Sequence, residues 1–276
     1  AAQALGETPA PLRKMSDILG FLRSVQLKHG GQFKWMGRLG FAFMASIPGY
    51  MAYENYANKR RIRQYREMIG DKVYMDIAIG ERYSGRIVFG LYSNQTPLTC
   101  ENFLQLCKGY KVGPKVLGYR NTYFHLVKPG SALVGGDVVT GTGKSRGMSI
   151  YGETFPDENF DMMFLREGDL AMINGGRNTN SSQFMITLSC QQQLYGHHVV
   201  FGTVMKGMRV VREMGEMGMK VGRPAVPLRV LQCGIWDEEE EPPLPELKNT
   251  NQKEALLSED DFRAKVGDAK GTRQPS

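Results

Sequence analysis

Two runs, VYMDIAI from Val73 and GRIVFGLY from Gly85, alternate apolar and polar residues with a period of two. That period excludes an amphipathic helix and marks half-buried strands, because successive side chains of a strand leave opposite faces. The GERYSG segment between the runs supplies a turn, so a β-hairpin is predicted over this region. Downstream, a long glycine-rich stretch to Gly202 offers only short strand candidates, and PLRVLQCGIW (227–236) reads as a closing strand. Only two helices interrupt this pattern. Thr96-Pro97 opens the first, with proline tolerated in the first turn, Cys100, Phe103, Leu104 and Cys107 as its apolar stripe, and Gly109 at its end. KGMRVVREMGEMG forms the second, with Met208, Val211 and Met214 on one side. Many short strands around two helices predict a mainly β fold, a closed barrel capped at its ends. There are no internal repeats.

The 276-residue chain is long enough for one sizeable core plus extensions. Its net charge of +7 is laid out unevenly. Residues 1–73 hold 12 Lys/Arg against 5 Asp/Glu, and residues 237–276 hold 6 against 11. A basic front suggests a membrane surface or an acidic partner there. Residues 1–34 are read as an amphipathic extension belonging to the mature protein, with Ile18, Leu22 and Val25 at helical spacing. Leu39 to Tyr53 is uncharged, and extended to Trp35–Tyr56 it reaches about 33 Å as a helix, enough for the hydrocarbon core. Trp35, Tyr50, Tyr53 and Tyr56 sit at interfacial positions, and Ala42, Ala45, Ser46 and Gly49 form a small-residue stripe. Residues 35–56 are therefore expected to span a membrane. The basic linker 57–72 follows, and Lys59, Arg60, Arg61 and Arg63 are expected to face anionic lipid and not nucleic acid. The tail, 237–276, is acidic, polar and poor in aromatics, a composition that should order only against something else.

The four cysteines, Cys100, Cys107, Cys190 and Cys233, form no CxxC pair and no zinc spacing. Free, mostly buried thiols in a reducing compartment are expected, with no metal and no cofactor. GTGKSRG is shorter than the spacing of a phosphate-binding loop, so no nucleotide is expected either.

Within residues 73–236, the stretches TPLTCENFLQLC, YFHLVKPG, VGGDVVTGTG, SIYGETFPDENF, LAMINGGRNTNSSQFMIT and YGHHVVFGTV occur in an order and spacing that resemble the cyclophilin family of peptidyl-prolyl isomerases. The resemblance implies an eight-stranded closed barrel. It also implies a groove that grips a proline ring, an arginine aimed at the prolyl nitrogen, and a glutamine that holds the carbonyl.

Carried over position by position, much of that machinery is exchanged. The place of the arginine holds Leu126; pocket positions hold Ser131, Ala132, Val134, Met185 and Gln193; Ile173 stands where the family has alanine. His125, Asn174, Gln183, Leu194 and His198 survive as a remnant of the peptide groove. Loss of one preorganised charge-stabilising group commonly costs about 2.7–4 kcal/mol in the transition state. The expectation is therefore a non-enzyme: a membrane-anchored accessory subunit of a large complex, with a mitochondrial inner-membrane respiratory or ATP-synthesising assembly as the leading host. The cyclophilin-like domain would lie on the matrix side, and other subunits would be its partners. The alternatives are an active, membrane-tethered isomerase and a non-catalytic module that reads proline-containing peptides.

Overall fold

The computed structural model describes residues 53–219, 221–239 and 241–245; the N-terminal extension, most of the expected span and the distal tail lie outside these. The chain divides into two units, 1–59 and 60–276. Residues 53–67 are helical (α1). No helix among the described residues is long and apolar enough to cross a membrane.

The second unit is built on one antiparallel sheet. Strand β1 (Lys72–Ile79) and strand β2 (Arg82–Leu91) form the hairpin. The turn is tighter than the sequence suggested: Gly80 and Glu81 make it, with Gly80 at φ 62°, while Arg82–Gly85 already belong to β2. The extra residue is absorbed by a bulge, where Ile77 faces Gly85 and Ala78 faces Tyr83. Helix α2 (Pro97–Lys108) follows, then the short hairpin β3 (Tyr110–Val112) and β4 (Lys115–Leu117). Strands β5 (Leu126–Lys128), β6 (Ala132–Gly135), β7 (Asp169–Met172), β8 (Phe184–Thr187) and β9 (Val200–Lys206) lead to α3 (Met208–Glu216) and the closing strand β10 (Leu228–Ile235).

The eight long-range strands run in the order β10-β1-β2-β9-β7-β8-β6-β5. This corrects the expected closed barrel: the sheet is a curled half-barrel whose edges, β5 and β10, share no ladder. The seam is held by single contacts from the segment before β5. Asn121 N–H donates to the Val230 carbonyl (2.7 Å), Val230 N–H to Thr122 (2.9 Å) and Phe124 N–H to Leu228 (2.9 Å). Asn121 is left-handed at φ 66°, which breaks the extended run a ladder would need.

Helix α2 begins at Thr96-Pro97 and ends at Gly109, as its sequence implies, but Thr96 does not cap it. The carboxylate of Glu158 does, accepting from Leu98 N–H (3.0 Å), Thr99 N–H (2.9 Å) and Thr99 Oγ1 (2.8 Å). Negative charge at this end is favoured by the unpaired N–H groups and the helix dipole. Phe103 projects from α2 into the concave side of the sheet and packs on Phe89, Tyr119, Phe184 and Phe201 at centroid distances of 6.1, 5.0, 5.1 and 5.1 Å. Each such buried ring contributes about 1.5–3 kcal/mol by area alone.

The start of the tail lies on the chain itself. Arg86 makes a bidentate pair with buried Asp76 (Nε–Oδ1 and Nη2–Oδ2, both 2.8 Å) and stacks over Tyr74 at 4.4 Å. Its remaining N–H groups reach the carbonyls of Pro242 (2.6 Å) and Pro243 (3.0 Å), and Lys72 pairs with Glu238 (2.8 Å). The described part of the acidic run thus meets the cations Lys72 and Arg86 of β1 and β2.

Candidate functional site

Strands β6 and β8 present two faces. Leu133, Phe184 and Ile186 join the interior core, whereas Ala132, Val134 and Met185 belong to a separate apolar cluster on the other side. Register explains the separation: Val134 faces Met185 across the strand pair, and Leu126 of β5 faces Val134. Paired residues share a face of the sheet. Ala171, Val200, Tyr92, Met162 and Phe164 complete the cluster, with Ile173 and Leu194 partly buried on it. Three of the exchanged pocket positions, Ala132, Val134 and Met185, therefore assemble into one buried apolar cluster, built from smaller and more flexible side chains. Tyr65, Met68 and Ile69, from the chain just before β1, pack against the same cluster, and Tyr65 Oη accepts from Met163 N–H at 3.1 Å.

Two exchanged positions do not join it. Ser131 and Gln193 are bound into a polar chain through buried Gln191: Gln193 Nε2 donates to Gln191 Oε1 (2.6 Å), and Gln191 Nε2 donates to the Ser131 carbonyl (3.3 Å). Large rings are expected at these two places from the family pattern; amide and hydroxyl groups hold the rim instead. Gln191 carries no local signal in the sequence that could have singled it out.

Three of the retained polar residues, Gln183, Asn174 and His198, are held by backbone carbonyls. Gln183 Nε2 donates to the Ser145 carbonyl (2.5 Å), and Asn174 Nδ2 to the His197 carbonyl (2.9 Å). His198 Nδ1 lies 3.0 Å from the Met172 carbonyl. Burial lowers the pKa of His198, and a backbone bond to Met172 only partly opposes this, so the ring is neutral at pH 7. His125 is lowered too, again by burial, against the nearby charge of Asp137. A Cβ at Gly143, which has φ 76°, would collide with the His125 ring; glycine is required there on both counts.

The GTGKSRG loop is organised around Asp137. Its carboxylate accepts from Val139 N–H (3.1 Å), Thr140 N–H (2.9 Å), Gly143 N–H (2.8 Å) and Ser145 Oγ (2.7 Å). Burial opposes the charge, but these bonds outweigh it and hold the pKa below the ordinary carboxylate value. The backbone donors that a phosphate would need are already taken by this side chain. By closing the loop, Asp137 also sets the Ser145 carbonyl that orients Gln183. Among the described residues, no group of three or more metal-ligating side chains could hold an ion.

Leu126, by contrast, is about two-fifths exposed and leans on the loop at Gly222. No cation occupies its place in β5.

Residues 74–235 match the family described as cyclophilin type peptidyl-prolyl cis-trans isomerase/CLD. The chain is also similar to peptidyl-prolyl cis-trans isomerase B of Saccharomyces cerevisiae, 42% identical over 180 residues that cover 64% of this chain and 86% of the yeast protein. Likeness at this level to a protein named as an isomerase overturns the expectation that the chain is not an enzyme. The exchanges at Ala132, Val134 and Met185 keep this cluster apolar.

Proposed function

The chain belongs to the cyclophilin family, and on that premise we propose that it is a peptidyl-prolyl cis-trans isomerase acting on extended segments laid along the outer face of β6 and β8. The observation that supports this most is the juxtaposition of one apolar cluster, containing Ala132, Val134 and Met185, with the carbonyl-anchored amides of Gln183 and Asn174. The apolar surface suits a proline ring. The amides suit the flanking peptide groups of an extended chain.

Rotation about the X-Pro bond faces a barrier of about 18–20 kcal/mol because the amide resonance must be broken. Catalysis requires that the twisted amide be held better than either planar form. The planar amide is the more dipolar state, since resonance places positive charge on nitrogen and negative charge on oxygen. Moving it from water to an apolar surface therefore costs the planar form more than the twisted one and lowers the barrier. With Leu126 in place of a guanidinium, this desolvation and the amide contacts carry the reaction, and the rate is correspondingly modest.

The full chain should accelerate cis–trans interconversion of a proline tetrapeptide, and Leu194→Glu, at a partly buried position on the cluster, should remove the acceleration while circular dichroism stays unchanged. Peptide binding without acceleration, seen as line shifts without exchange in NMR, would leave only a peptide-reading module. No binding at all would overturn the reading altogether.

We also propose that α1 contacts anionic lipid, which would place the domain beside a membrane and its resident subunits. Lys59, Arg60, Arg63 and Arg66 are exposed along it, with Arg61 half-buried. Each basic residue near such a surface contributes about 1 kcal/mol. Co-sedimentation with phosphatidylserine vesicles, lost at high salt, is the expected result; equal binding to neutral vesicles would refute a charge-driven contact.

A further inference from the structure

On one face of the β1–β2 hairpin, Tyr74 and Asp76 of β1 stand opposite Val88 and Arg86 of β2. Tyr74, Val88 and Trp236 form a third apolar cluster, separate from the interior core and from the Met185 cluster. The tyrosine ring lies over β10 at its register partner Gly234, where a Cβ would press on Tyr74 Cε1 at 3.1 Å. Gln232 Nε2 donates to Tyr74 Oη (2.7 Å), and the Trp236 ring meets the Tyr74 ring edge-on at 6.5 Å. The Arg86 guanidinium sits 4.4 Å from the Tyr74 centroid and 5.9 Å from that of Trp236, and Asp76 fixes it through two hydrogen bonds. Its side chain is only 8% exposed. The groove proposed for isomerisation does not include this face.

The chain's own residues 241–245 lie on it. Pro242 and Pro245 are half-buried, whereas Pro243 and Leu244 are exposed. A polyproline II helix has three residues per turn, so positions i and i+3 share a face, and the burial follows that period. Recognition runs through carbonyls: Arg86 Nη1 donates to Pro242 (2.6 Å) and Nη2 to Pro243 (3.0 Å). Proline has no N–H, so the segment leaves no donor of those residues unpaired. Acidic residues precede the prolines and meet cations: Glu241 lies 3.9 Å from Arg86, and Glu238 lies 2.8 Å from Lys72. The fit is incomplete. Trp236 Nε1 is buried without an acceptor among the described residues, and Leu244 is 63% exposed. An unpaired buried donor is costly, so a segment that brings a carbonyl to it binds better than the tail does.

We propose that the face formed by Tyr74, Arg86 and Trp236 docks a proline-rich segment of another protein, an acidic residue followed by Pro-x-x-Pro in polyproline II form, and that residues 241–245 hold the site as a tethered competitor. An aromatic platform beside a fixed donor is the surface such segments need, because their rings pack on it while their carbonyls point at the donor. Lys72 and Lys206 extend the positive rim; Lys206 Nζ lies 4.9 Å over the Trp236 ring. An acidic flank on the incoming segment therefore finds the same cations that the tail finds. Tethering keeps the tail at a high effective concentration, so only a segment that binds more tightly than the tail displaces it. Docking here involves no turnover of a prolyl bond and does not depend on the isomerase groove.

The test uses the full chain and a fluorescein-labelled peptide, DEEEEPPLPEL, that copies residues 237–247. The unaltered chain should bind it weakly. The full chain carrying Pro242→Ala and Pro245→Ala, whose tail grips less well, should bind it at least about tenfold more tightly. The indole N–H resonance of Trp236, told from that of Trp35 by Trp35→Phe, should move on binding. A peptide of the same charge with its prolines replaced by alanine should not bind. Arg86→Lys, which loses the planar fork, should remove most of the gain. Should that variant misfold, Lys206→Glu, at an exposed position, should weaken binding and leave the fold intact. Leu194→Glu should abolish isomerase activity but leave this binding unchanged, so failure of one site is distinguishable from failure of the other. The proposal is overturned by equal affinity of the unaltered and Pro→Ala chains, by equal binding of the alanine peptide, or by an indole resonance that stays in place while the peptide binds. A concentration-dependent dimer of the unaltered chain that Pro242→Ala abolishes would make the occupant a second copy, and would overturn it equally.

Discussion

The two faces of strands β6 and β8 have been filled by opposite rules. Inward, Phe184 packs with Phe103, Tyr119 and Phe124 in an aromatic core of defined ring geometry. Outward, Ala132, Val134 and Met185 are small or flexible, and amides rim them. Rigid rings interlock in one arrangement and set the curvature of the sheet. Methionine and small aliphatic residues tolerate varied partners. A strand four residues long can thus contribute to two separate clusters, one on each side, and a change on one side need not disturb its neighbour.

The largest effect that would sharpen this contrast is in the core. Phe103→Ala should cost about 3–5 kcal/mol in chemical denaturation, because four rings lose a common partner. Met185→Leu, a volume-conserving change on the outer face, should cost less than about 1.5 kcal/mol. Comparable losses would break the division between the faces.

Next comes the groove. Leu126→Arg restores a guanidinium opposite Val134, and kcat/KM for a proline tetrapeptide should rise by about 10²-fold, with little change in unfolding free energy. An unchanged kcat/KM would mean that the reshaped pocket, and not the missing charge, limits the rate.

Titration separates the two regions by sign. Burial raises the Asp169 pKa from 3.8 to about 6, although Leu165 and Arg166 N–H groups bond its Oδ2. The folded state then holds a proton that the unfolded state releases. Stability from this group is full below about pH 4 and is lost by about pH 6, a change of about 3 kcal/mol. His125 and His198 in the groove are lowered by burial, so they act the other way. Their contribution is present above pH 6.5 and is lost as pH falls through their folded values. Denaturation across pH 4–8 should show both limbs: Asp169→Asn should flatten the fall between pH 4 and 6, and His198→Gln should weaken the loss on acidification below 6.5. A His198→Gln profile identical to that of the unaltered chain would contradict the histidine's neutral, buried state.

The smallest effect is expected from the tail. Removal of residues 246–276 spares the contacts of Arg86 with Pro242 and Pro243, so melting should be unchanged; removal from 237 onward exposes Arg86 and should lower the melting temperature measurably. Equal melting of the two truncations would show that the clasp contributes nothing.

Much of the frame was legible from residue pattern. The hairpin follows from period-two alternation, α2 from Thr96-Pro97 and Gly109, and β10 from PLRVLQCGIW, because each of these signals acts between near neighbours. Strands β6, β7 and β8 gave no such signal: all of their residues are buried, so alternation vanishes and an apolar run of four is ambiguous. Resemblance located Leu126, His125 and Gln183, yet the physical fate of the exchanged pocket was not readable from residue types. Ser131 and Gln193 became a hydrogen-bonded rim only because Gln191 stands between them, 60 residues from Ser131 in the chain. Gln183 is aimed by the carbonyl of Ser145, 38 residues away, in a loop drawn in by Asp137. Local sequence determined which segments are strands and helices, since those preferences act over a few residues. Tertiary packing decided that the β5–β10 seam is joined by single backbone bonds and not by a ladder, that Glu158 caps α2, and that Cys233 reaches the Cys107 carbonyl, since each depends on groups that only the folded sheet brings within a few ångströms.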